Sequence, residues 1–362
     1  MEKVSIGIIG CGGIAGNKHL PSLAMLDNVV VVAFCDLIEA RAQSLADQYG
    51  EPDAKVYTDY TQLLADDTIQ VVHICTPNSS HGEIAIAAME AGKHVMCEKP
   101  MAKTAADARA MLEASVRTGK KLSIGYQNRY RQDSLYLKKL CEAGELGEIY
   151  YAKAHAIRRR AVPTWGVFLD EAAQGGGPLI DIGTHALDLT LWLMDNYEPH
   201  YVVGNVYHKL SATENAANAW GPWDPAAFKV EDSAFGFITM KNGATIMLES
   251  SWALNSLDED EAKTTLHGTK AGADMRDGLR INGEKHGKLY ETQVTTEPKG
   301  VAFYEPSGED DSAYVEAKCW IDSVVNDTAL WVKPEQALVV TEILEAIYES
   351  AKTGKPVYFE GV

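Results

Sequence analysis

The sequence predicts an α/β protein with a parallel sheet in its N-terminal domain and a largely antiparallel sheet in its second domain. Short apolar runs alternate with helical segments over the first 125 residues, whereas strands then follow one another with few crossover helices. The length of 362 residues is too great for one ordinary core. We therefore predict domains over residues 1–125 and 126–362, with the last helices free to pack back on the first domain.

The composition excludes several classes of function. The chain carries 33 basic against 51 acidic residues, which argues against nucleic acid or an anionic membrane as its partner. Its start lacks the pattern of a signal peptide, and its longest apolar run, VVVVAFC (29–35), is too short to span a membrane. The six cysteines include no Cys-x-x-Cys pair, so we expect no metal site and no disulfide framework. Together these features predict a cytoplasmic protein.

Five nearly continuous apolar runs predict strands that are covered on both faces, as in a parallel sheet. Helical segments with recognisable ends separate them. One begins at Thr104 and Asp107, which form a variant capping box, and ends at Gly119. The strand runs are 4–10, 29–36, 71–77, 94–100 and 121–126.

The second domain has a long apolar helix at 178–195 and then several strands. KNGA (241–244) lies between two alternating runs and predicts a hairpin, because Asn-Gly suits the positive φ angles of a tight turn. Two further helices are predicted near 312–326 and 334–352, and the loop at 211–229 is the least regular stretch.

A glycine-rich turn, GCGGIAG, directly follows the first strand. Gly10 permits the tight turn, Gly12 lets the backbone approach a pyrophosphate, and Ala15 lets helix pack on strand. Many glycine-rich turns end a strand for steric reasons alone and bind no ligand. Here a strand precedes the turn and a helix follows it, which is the context of a dinucleotide site. Asp36 ends the second strand, 21 residues beyond Ala15, where it can accept from both ribose hydroxyls of NAD and repel a 2′-phosphate. The first base after it is Arg41, so NAD is preferred to NADP.

Two further strand ends, CTPNSSH (75–81) and CEKP (97–100), lie at the sheet edge where open α/β folds bind ligands. Asn78 either caps the following helix or contacts the cofactor, and both interpretations stay open. Lys99 could hydrogen-bond a substrate oxygen and favour its alkoxide form. The alternative is a solvated pair with Glu98, which would contribute little.

The helix at 178–195 is apolar except for one stripe of four polar residues: Asp181, Thr184, His185 and Asp188. His185 can take a hydroxyl proton because its ordinary pKa is near neutral, and Asp181 can orient the imidazole. A buried Asp–His pair that satisfies only itself is the alternative, and Asp188 could cap, bond another helix or contact substrate. We expect the three preceding glycines, 175–177, to let the helix start lie close to a cofactor.

These motifs, with GYQNRY (125–130), occur in the order seen in one family: the chain resembles the Gfo/Idh/MocA oxidoreductases. The resemblance implies an N-terminal Rossmann domain that binds NAD. It also implies a C-terminal α/β domain whose open, mostly antiparallel sheet commonly serves as an oligomer interface. A homo-oligomer, dimer or tetramer, is therefore expected.

Carried over residue by residue, the resemblance makes Lys99 the catalytic lysine and Asp181 and His185 the paired acid and histidine. Whether His185 or Lys99 is the formal base stays open. Glu98 and Asn78 match positions near the nicotinamide ribose, and His19 and His81 are expected at helix starts near the cofactor. The predicted cofactor-binding residues are Gly10, Gly12, Gly13, Ile14, Ala15, Asp36, Thr76, Pro77, Asn78, His81, Glu98, Lys99 and Gln127.

The substrate wall is predicted from the stretch RRRAVPTWGVFLDE after strand 150–157, where members of the family diverge. Arg158 and Trp165 would offer a bidentate donor beside an aromatic face, which suits a sugar ring. The alternative for the three arginines is solvated surface charge. Trp220 and Trp223 are either a lid over a sugar or loop anchors. The predicted substrate-binding residues are Lys99, Arg129, Arg158, Trp165, Asp181 and His185.

These expectations lead to an oxidoreductase that moves a hydride between NAD and a secondary hydroxyl of a sugar, cyclitol or glycoside. An enzyme that cleaves glycosides through transient sugar oxidation and elimination is the first alternative. A non-enzymatic NAD-binding sensor is the second. Intact Lys99, Asp181 and His185 count against the sensor, which has no need of them.

Overall fold

A computed structural model describes residues 3–295 and 311–359. Its contacts divide the chain into two compact units. The first unit comprises Met1–Gln127 and Ser307–Leu338, and the second comprises Asn128–Pro306 and Val339–Val362. The sequence predicted the division after residue 125; the contacts place it after residue 127 and assign 307–338 to the first unit.

The first unit contains a six-stranded sheet in which all neighbouring strands are parallel. The strand order is β3-β2-β1-β4-β5-β6, so the chain reverses direction across the sheet between β1 and β4. Open α/β sheets bind ligands at this switch point, outside the carboxyl ends of the strands. The strands are β1 (Val4–Ile9), β2 (Val29–Cys35), β3 (Lys55–Tyr57), β4 (Val71–Ile74), β5 (His94–Cys97) and β6 (Leu122–Ile124).

Strand β3 was not predicted from the sequence. It has only three residues, lies at the edge of the sheet and leaves Lys55 exposed, so it lacks the continuous apolar pattern of a doubly covered strand. The other five strands fall within the predicted runs.

The helices of the chain alternate with strands in the first unit and are fewer in the second. The predicted start of the helix at 104–119 is confirmed, because the Thr104 hydroxyl accepts from the Asp107 amide and Gly119 has φ of 67°. The helices are α1 (Leu20–Ala24), α2 (Glu39–Tyr49), α3 (Tyr60–Leu64), α4 (His81–Glu90), α5 (Ala105–Thr118), α6 (Gln132–Glu142), α7 (Glu171–Gln174), α8 (Thr184–Met194), α9 (Ser312–Val325) and α10 (Pro334–Thr353).

Helix α9 belongs to the core of the first unit although it lies late in the sequence. Trp320 and Ile321 of α9 share one hydrophobic cluster with Ile6 and Ile8 of β1 and with Leu20 of α1. The first unit is therefore completed by a segment that follows most of the second unit in the chain.

The second unit contains a nine-stranded sheet with the order β14-β13-β12-β11-β7-β10-β9-β8-β15. Among the strands that the structure describes in this sheet, only β7 and β10 pair in parallel, so the sheet is mixed and mostly antiparallel, as the sequence predicted. The strands are β7 (Ile149–Ile157), β8 (Pro199–Tyr207), β9 (Ser233–Met240), β10 (Thr245–Ser251), β11 (Asp260–Gly268), β12 (Ala271–Asp274), β13 (Arg280–Lys285), β14 (Lys288–Gln293) and β15 (Val357–Tyr358).

The predicted hairpin at KNGA joins β9 to β10. Its turn differs from the expected one, because Gly243 adopts positive φ (89°) and Asn242 does not. The Asn242 side chain instead accepts from the Ala244 amide, and the Gly243 amide donates to the Met240 carbonyl. This pattern is that of a type I turn followed by a left-handed glycine.

Candidate active site

The glycine turn after β1 is built for close approach of backbone. Gly10 has φ of +91°, and a Cβ there would lie 2.6 Å from the carbonyl carbon of Cys75, at the end of β4. At Gly12, by contrast, a Cβ would meet no described atom within 4 Å. Ala15 is fully buried at the start of a π-helical turn (Ala15–His19), while Ile14 is partly exposed. The turn thus combines a packed side with open space in front of Gly12, where a pyrophosphate fits.

Asp36 is fixed beside this turn. Its carboxylate accepts from the Cys11 amide at 2.9 Å and from the Ile38 amide at 2.8 Å. Asp36 directly follows the last residue of β2, next to the glycine turn. The two amides therefore orient its half-buried carboxylate at this edge of the sheet. A carboxylate in this position can accept hydrogen bonds from ribose hydroxyls.

Glu98 does not form the solvated pair with Lys99 that was one alternative. Its side chain is buried, and Oε1 lies 2.7 Å from Lys18 Nζ and 2.8 Å from His19 Nε2. Burial alone raises the pKa of a carboxyl, but Lys18 and His19 outweigh it and hold the pKa of Glu98 well below its usual range. Glu98 Oε2 accepts from the Lys99 amide at 3.2 Å, so this anchored carboxylate also positions the backbone of Lys99.

Lys18 and Glu316 complete a buried ion cluster (Lys18, Glu98, Glu316, His19 and His73) that sequence reasoning missed. Lys18 Nζ lies 2.9 Å from Glu316 Oε2, and the Nδ1 atoms of His19 and His73 lie 2.9 Å apart. Burial raises the pKa of Glu316, although Lys18 opposes this shift. No local pattern marks these residues, because Glu316 lies in α9 and reaches Lys18 only through the fold.

His81 braces two strand ends. It is buried at the start of α4, with Nδ1 2.8 Å from the Pro100 carbonyl oxygen and Nε2 3.0 Å from the Thr76 carbonyl oxygen. Burial lowers the pKa of His81, and the two carbonyl contacts oppose this shift. These contacts favour a positioning role for His81, which holds the segments that carry Asn78 and half-buried Lys99.

The remaining predicted cofactor residues lie on the same set of loops or at the end of the first unit. The Thr76 hydroxyl accepts from the Ser80 hydroxyl at 2.8 Å. Asn78 follows Pro77 and begins a short 3-10 helix, Asn78–Ser80. Gln127 begins a second one, Gln127–Tyr130.

The polar stripe at 181–188 divides into two pairs with different surroundings. A π-helical turn (Leu179–Gly183) precedes α8, so the predicted single helix is not uniformly α-helical. Asp181 and His185 are half-buried, whereas Thr184 and Asp188 are buried. Such π-helical insertions are frequent at functional sites. Asp181 Oδ2 accepts from the indole N–H of Trp252 at 3.1 Å, which fixes the carboxylate.

Asp188 pairs with Arg129, which the sequence placed among the substrate-binding residues. Arg129 Nε donates to Asp188 Oδ2 at 2.9 Å, and a second guanidinium nitrogen donates to Oδ1 at 2.5 Å. Arg129 is fully buried, and its guanidinium also lies over the Trp192 ring. This burial favours a structural role for Arg129 over the expected contact with substrate, and it accounts for Asp188.

Two glycines before Pro178 pack closely against other residues of the second unit. A Cβ at Gly176 would lie 2.0 Å from the Tyr348 hydroxyl, and one at Gly177 would lie 2.3 Å from the Glu231 carbonyl oxygen. The buried Glu231 carboxylate accepts from the Gly177 and Leu179 amides and from Tyr348. The glycines therefore admit a side-chain cap at the helix start within the second unit, and their expected approach to a cofactor stays a prediction.

Arg158 and the tryptophans after β7 form an exposed aromatic group. Arg158 makes two 2.6 Å hydrogen bonds with Glu261, so it is not simple surface charge. Trp165 and Trp220 are 51% and 46% exposed, and their ring centroids lie 4.9 Å apart. Trp223 is instead buried and donates to the Ser211 carbonyl, which makes it a loop anchor.

Among the residues that the structure describes, no group of His, Cys, Asp or Glu side chains could hold a metal ion. Within the same ranges, no helix is both long enough and apolar enough to cross a bilayer.

Two domains of one sequence family match successive parts of the chain. Residues 4–126 match the Gfo/Idh/MocA oxidoreductase family described by its NAD-binding Rossmann fold, and residues 138–359 match its C-terminal alpha/beta domain. The chain belongs to the Gfo/Idh/MocA oxidoreductase family. The resemblance predicted from the motifs is therefore confirmed.

Relatives of the chain in this family are named dehydrogenases. D-glucoside 3-dehydrogenase of Escherichia coli (strain K12) is 35% identical over 354 residues, which cover 98% of this chain and 97% of that protein. Inositol 2-dehydrogenase of Salmonella paratyphi B is 36% identical over 191 residues, 52% of this chain and 54% of that protein. The crystal structure of an oxidoreductase domain protein from Kribbella flavida shows the same fold. Its superposition on this chain covers 100% of both chains, with a TM-score of 0.85 and 24% sequence identity.

As a Gfo/Idh/MocA oxidoreductase, the chain has NAD as its cofactor, as predicted. The residues present fit this cofactor, because the turn at Gly12 leaves space for a pyrophosphate and Asp36 offers a fixed acceptor for ribose hydroxyls. A 2′-phosphate would meet the same carboxylate and be repelled.

Proposed function

We propose that the chain is an NAD-dependent dehydrogenase that oxidises a secondary hydroxyl of a glycoside. One observation carries this proposal: Asp181 and His185 are half-buried at a helix start where Thr184 and Asp188 are buried. The Asp181 carboxylate is held by a hydrogen bond from Trp252. An imidazole next to an oriented carboxylate can accept a proton near neutral pH.

Bound NAD would supply the acceptor for the hydride that leaves the carbinol carbon. The amides of the turn from Gly10 to Ala15 would hold its pyrophosphate, and Asp36 its ribose hydroxyls. His185 or Lys99 receives the hydroxyl proton, and Lys99 donates a hydrogen bond to the oxygen as negative charge develops. Asp181 orients the imidazole of His185 and stabilises its charged form.

The preference for glycosides is supported by the extent of the similarity. The glucoside dehydrogenase matches over nearly its whole length, including the second unit. The inositol dehydrogenase matches over about half of each chain. Because the second unit carries the divergent stretch after β7, full-length similarity is the better guide to substrate class.

The assay that tests this function supplies NAD with a panel of cyclitols, pyranoses and glycosides, and follows both NADH absorbance and released aglycone. We expect NADH in proportion to the sugar oxidised. Aglycone without net NADH would favour the alternative of transient oxidation followed by elimination. Tight NAD binding with neither product would contradict an enzymatic function.

We also propose that the chain assembles as a homo-oligomer through the nine-stranded sheet. Alternate residues of β9, among them Phe235 and Phe237, are partly or fully exposed, while their neighbours along the strand are buried. Tyr207 of β8 adds a further exposed aromatic ring and contacts Phe235. Such a surface marks an interaction site. Light scattering coupled to size exclusion would test it, and a strictly monomeric mass would contradict it.

A further inference from the structure

Two exposed tryptophans of the second unit form what we name the aromatic platform (Trp165 and Trp220, with Arg158). The two indoles meet edge to face with centroids 4.9 Å apart and an interplanar angle of 83°. The Arg158 guanidinium lies over the Trp220 ring at 5.6 Å. Each of the two indoles is about half exposed, so together they present a large apolar surface to water. Such a surface indicates a site that a ligand covers.

The platform is held in place by the structure around it. Glu261 of β11 binds Arg158 through two hydrogen bonds of 2.6 Å, which fixes the guanidinium beneath Trp220. Asn218 bonds both the amide and the carbonyl of Val162, and the Thr164 hydroxyl donates to the Trp220 carbonyl. The loop that carries Trp220 is therefore fastened to the segment that carries Trp165. A preorganised surface of this kind loses little conformational freedom when a ligand binds.

The platform is connected to Asp181 through a row of aromatic contacts. Trp252, which donates to Asp181, lies 6.3 Å from Phe168 by ring centroids, and Phe168 lies 5.9 Å from Trp165. Burial lowers the pKa of Arg158, but the Glu261 carboxylate and, to a smaller extent, the negative charge of Asp181 outweigh it and raise that pKa. The platform thus belongs to the surroundings of Asp181 but is separated from it by two rings. A sugar whose hydroxyl reaches Asp181 and His185 would extend its substituent towards Trp165 and Trp220.

We propose that the aromatic platform is a subsite for the second ring of a glycoside substrate, adjacent to the sugar that is oxidised. This inference rests on the proposed function. A pyranose presents polarised C–H groups on its flat face, and the negative π-face of an indole complements them. The aromatic platform would therefore favour two-ring glycosides over methyl glycosides through binding at this surface, without changing the chemistry at Asp181 and His185.

The test compares two probe substrates, cellobiose and methyl β-D-glucopyranoside, in wild type, Trp165→Ala and Trp220→Ala. Trp331→Ala is the matched control, since Trp331 is 45% exposed but lies in the first unit. Loss of one stacked ring should lower kcat/KM for cellobiose about tenfold, mainly through KM, because burial of a large aromatic contact is lost. The value for the methyl glycoside should change less than about twofold.

Equal losses on both probes would overturn the proposal, because the platform would then contact the oxidised ring or support the fold. Unchanged kinetics in both variants would overturn it as well, and so would a change of oligomeric state in place of a change in KM. If wild type forms no NADH with either probe, the panel assay still decides the proposed function, and tryptophan fluorescence decides the inference separately. Saturable quenching by cellobiose that disappears in Trp165→Ala supports the subsite, and its absence in wild type contradicts it.

Discussion

The indole N–H of Trp252 donates to Oδ2 of Asp181 across 3.1 Å, and Trp252 is fully buried. This bond fixes the carboxylate that we assign to the orientation of His185. Trp252→Phe retains a buried ring and removes only the donor. We expect kcat to fall about tenfold with KM little changed, since one oriented hydrogen bond is worth about 1–2 kcal/mol.

Steady-state kinetics with the best sugar of the panel would measure this effect, and thermal unfolding would serve as its control. A fall in kcat that is matched by a collapse of Tm would show that Trp252 acts through the core alone. Unaltered kcat in a stable Trp252→Phe protein would contradict the role given to the bond.

The buried pair of Arg129 and Asp188 predicts a large effect on stability. Asp188→Asn leaves the guanidinium without its charge partner and should lower the free energy of unfolding by about 3–5 kcal/mol. Arg129→Met combined with Asp188→Leu should recover much of that loss, because both charges are then absent. Urea unfolding measures both variants. Retained activity in the folded double variant would confirm that Arg129 does not bind substrate, whereas selective loss of substrate affinity would contradict its structural role.

The sequence predicted both sheets correctly, one parallel and one mostly antiparallel, because apolar runs that alternate with helical segments and glycines at the ends of elements are local signals. Strand β3 was missed since three residues at a sheet edge carry no periodicity. The stripe from Asp181 to Asp188 was predicted as one face, but the π-helical turn divides it and buries one pair. Contacts between distant segments, such as Lys18 with Glu316, leave no trace in a single sequence.

Asp36 should control the choice of cofactor. Asp36→Asn keeps one acceptor oxygen for the Cys11 or the Ile38 amide, loses the other, and removes the negative charge. We expect the Kd of NAD to rise about tenfold and the preference for NAD over NADP to fall by a similar factor. Isothermal titration with each nucleotide measures both values, and Asp53→Asn, an exposed acidic site in the same unit, is the control. An unchanged preference would contradict ribose recognition by Asp36.

Glu316 and Glu98 predict opposite dependences of stability on pH. Burial raises the pKa of Glu316, so its contribution is present below the ordinary value of 4.5 and is lost as pH rises through the folded-state pKa. Glu316→Gln should therefore gain stability relative to wild type as pH rises above the ordinary value of 4.5. The pKa of Glu98 is lowered, so its contribution is present above 4.5 and is lost as pH falls.

Urea unfolding of Glu316→Gln, Glu98→Gln and wild type from about pH 3 to about pH 8 would test the pair. Above pH 4.5, Glu98→Gln should be less stable than wild type, because Lys18 and His19 both lose a charged partner, and the difference should shrink as pH falls below 4.5. Parallel curves for Glu316→Gln and wild type would show that Glu316 does not change its protonation in this window.

In the proposed mechanism Lys99 and His185 act on the sugar hydroxyl, whereas the glycine turn and Asp36 provide most of the affinity for NAD. The most direct measurement is NADH formation by Lys99→Ala and His185→Ala, with the Kd of NAD determined on the same preparations. We expect turnover to fall by at least about a thousandfold in each variant, with NAD affinity within about threefold of wild type. Full turnover in either variant, or a loss explained by weakened NAD binding, would contradict the roles given to Lys99 and His185.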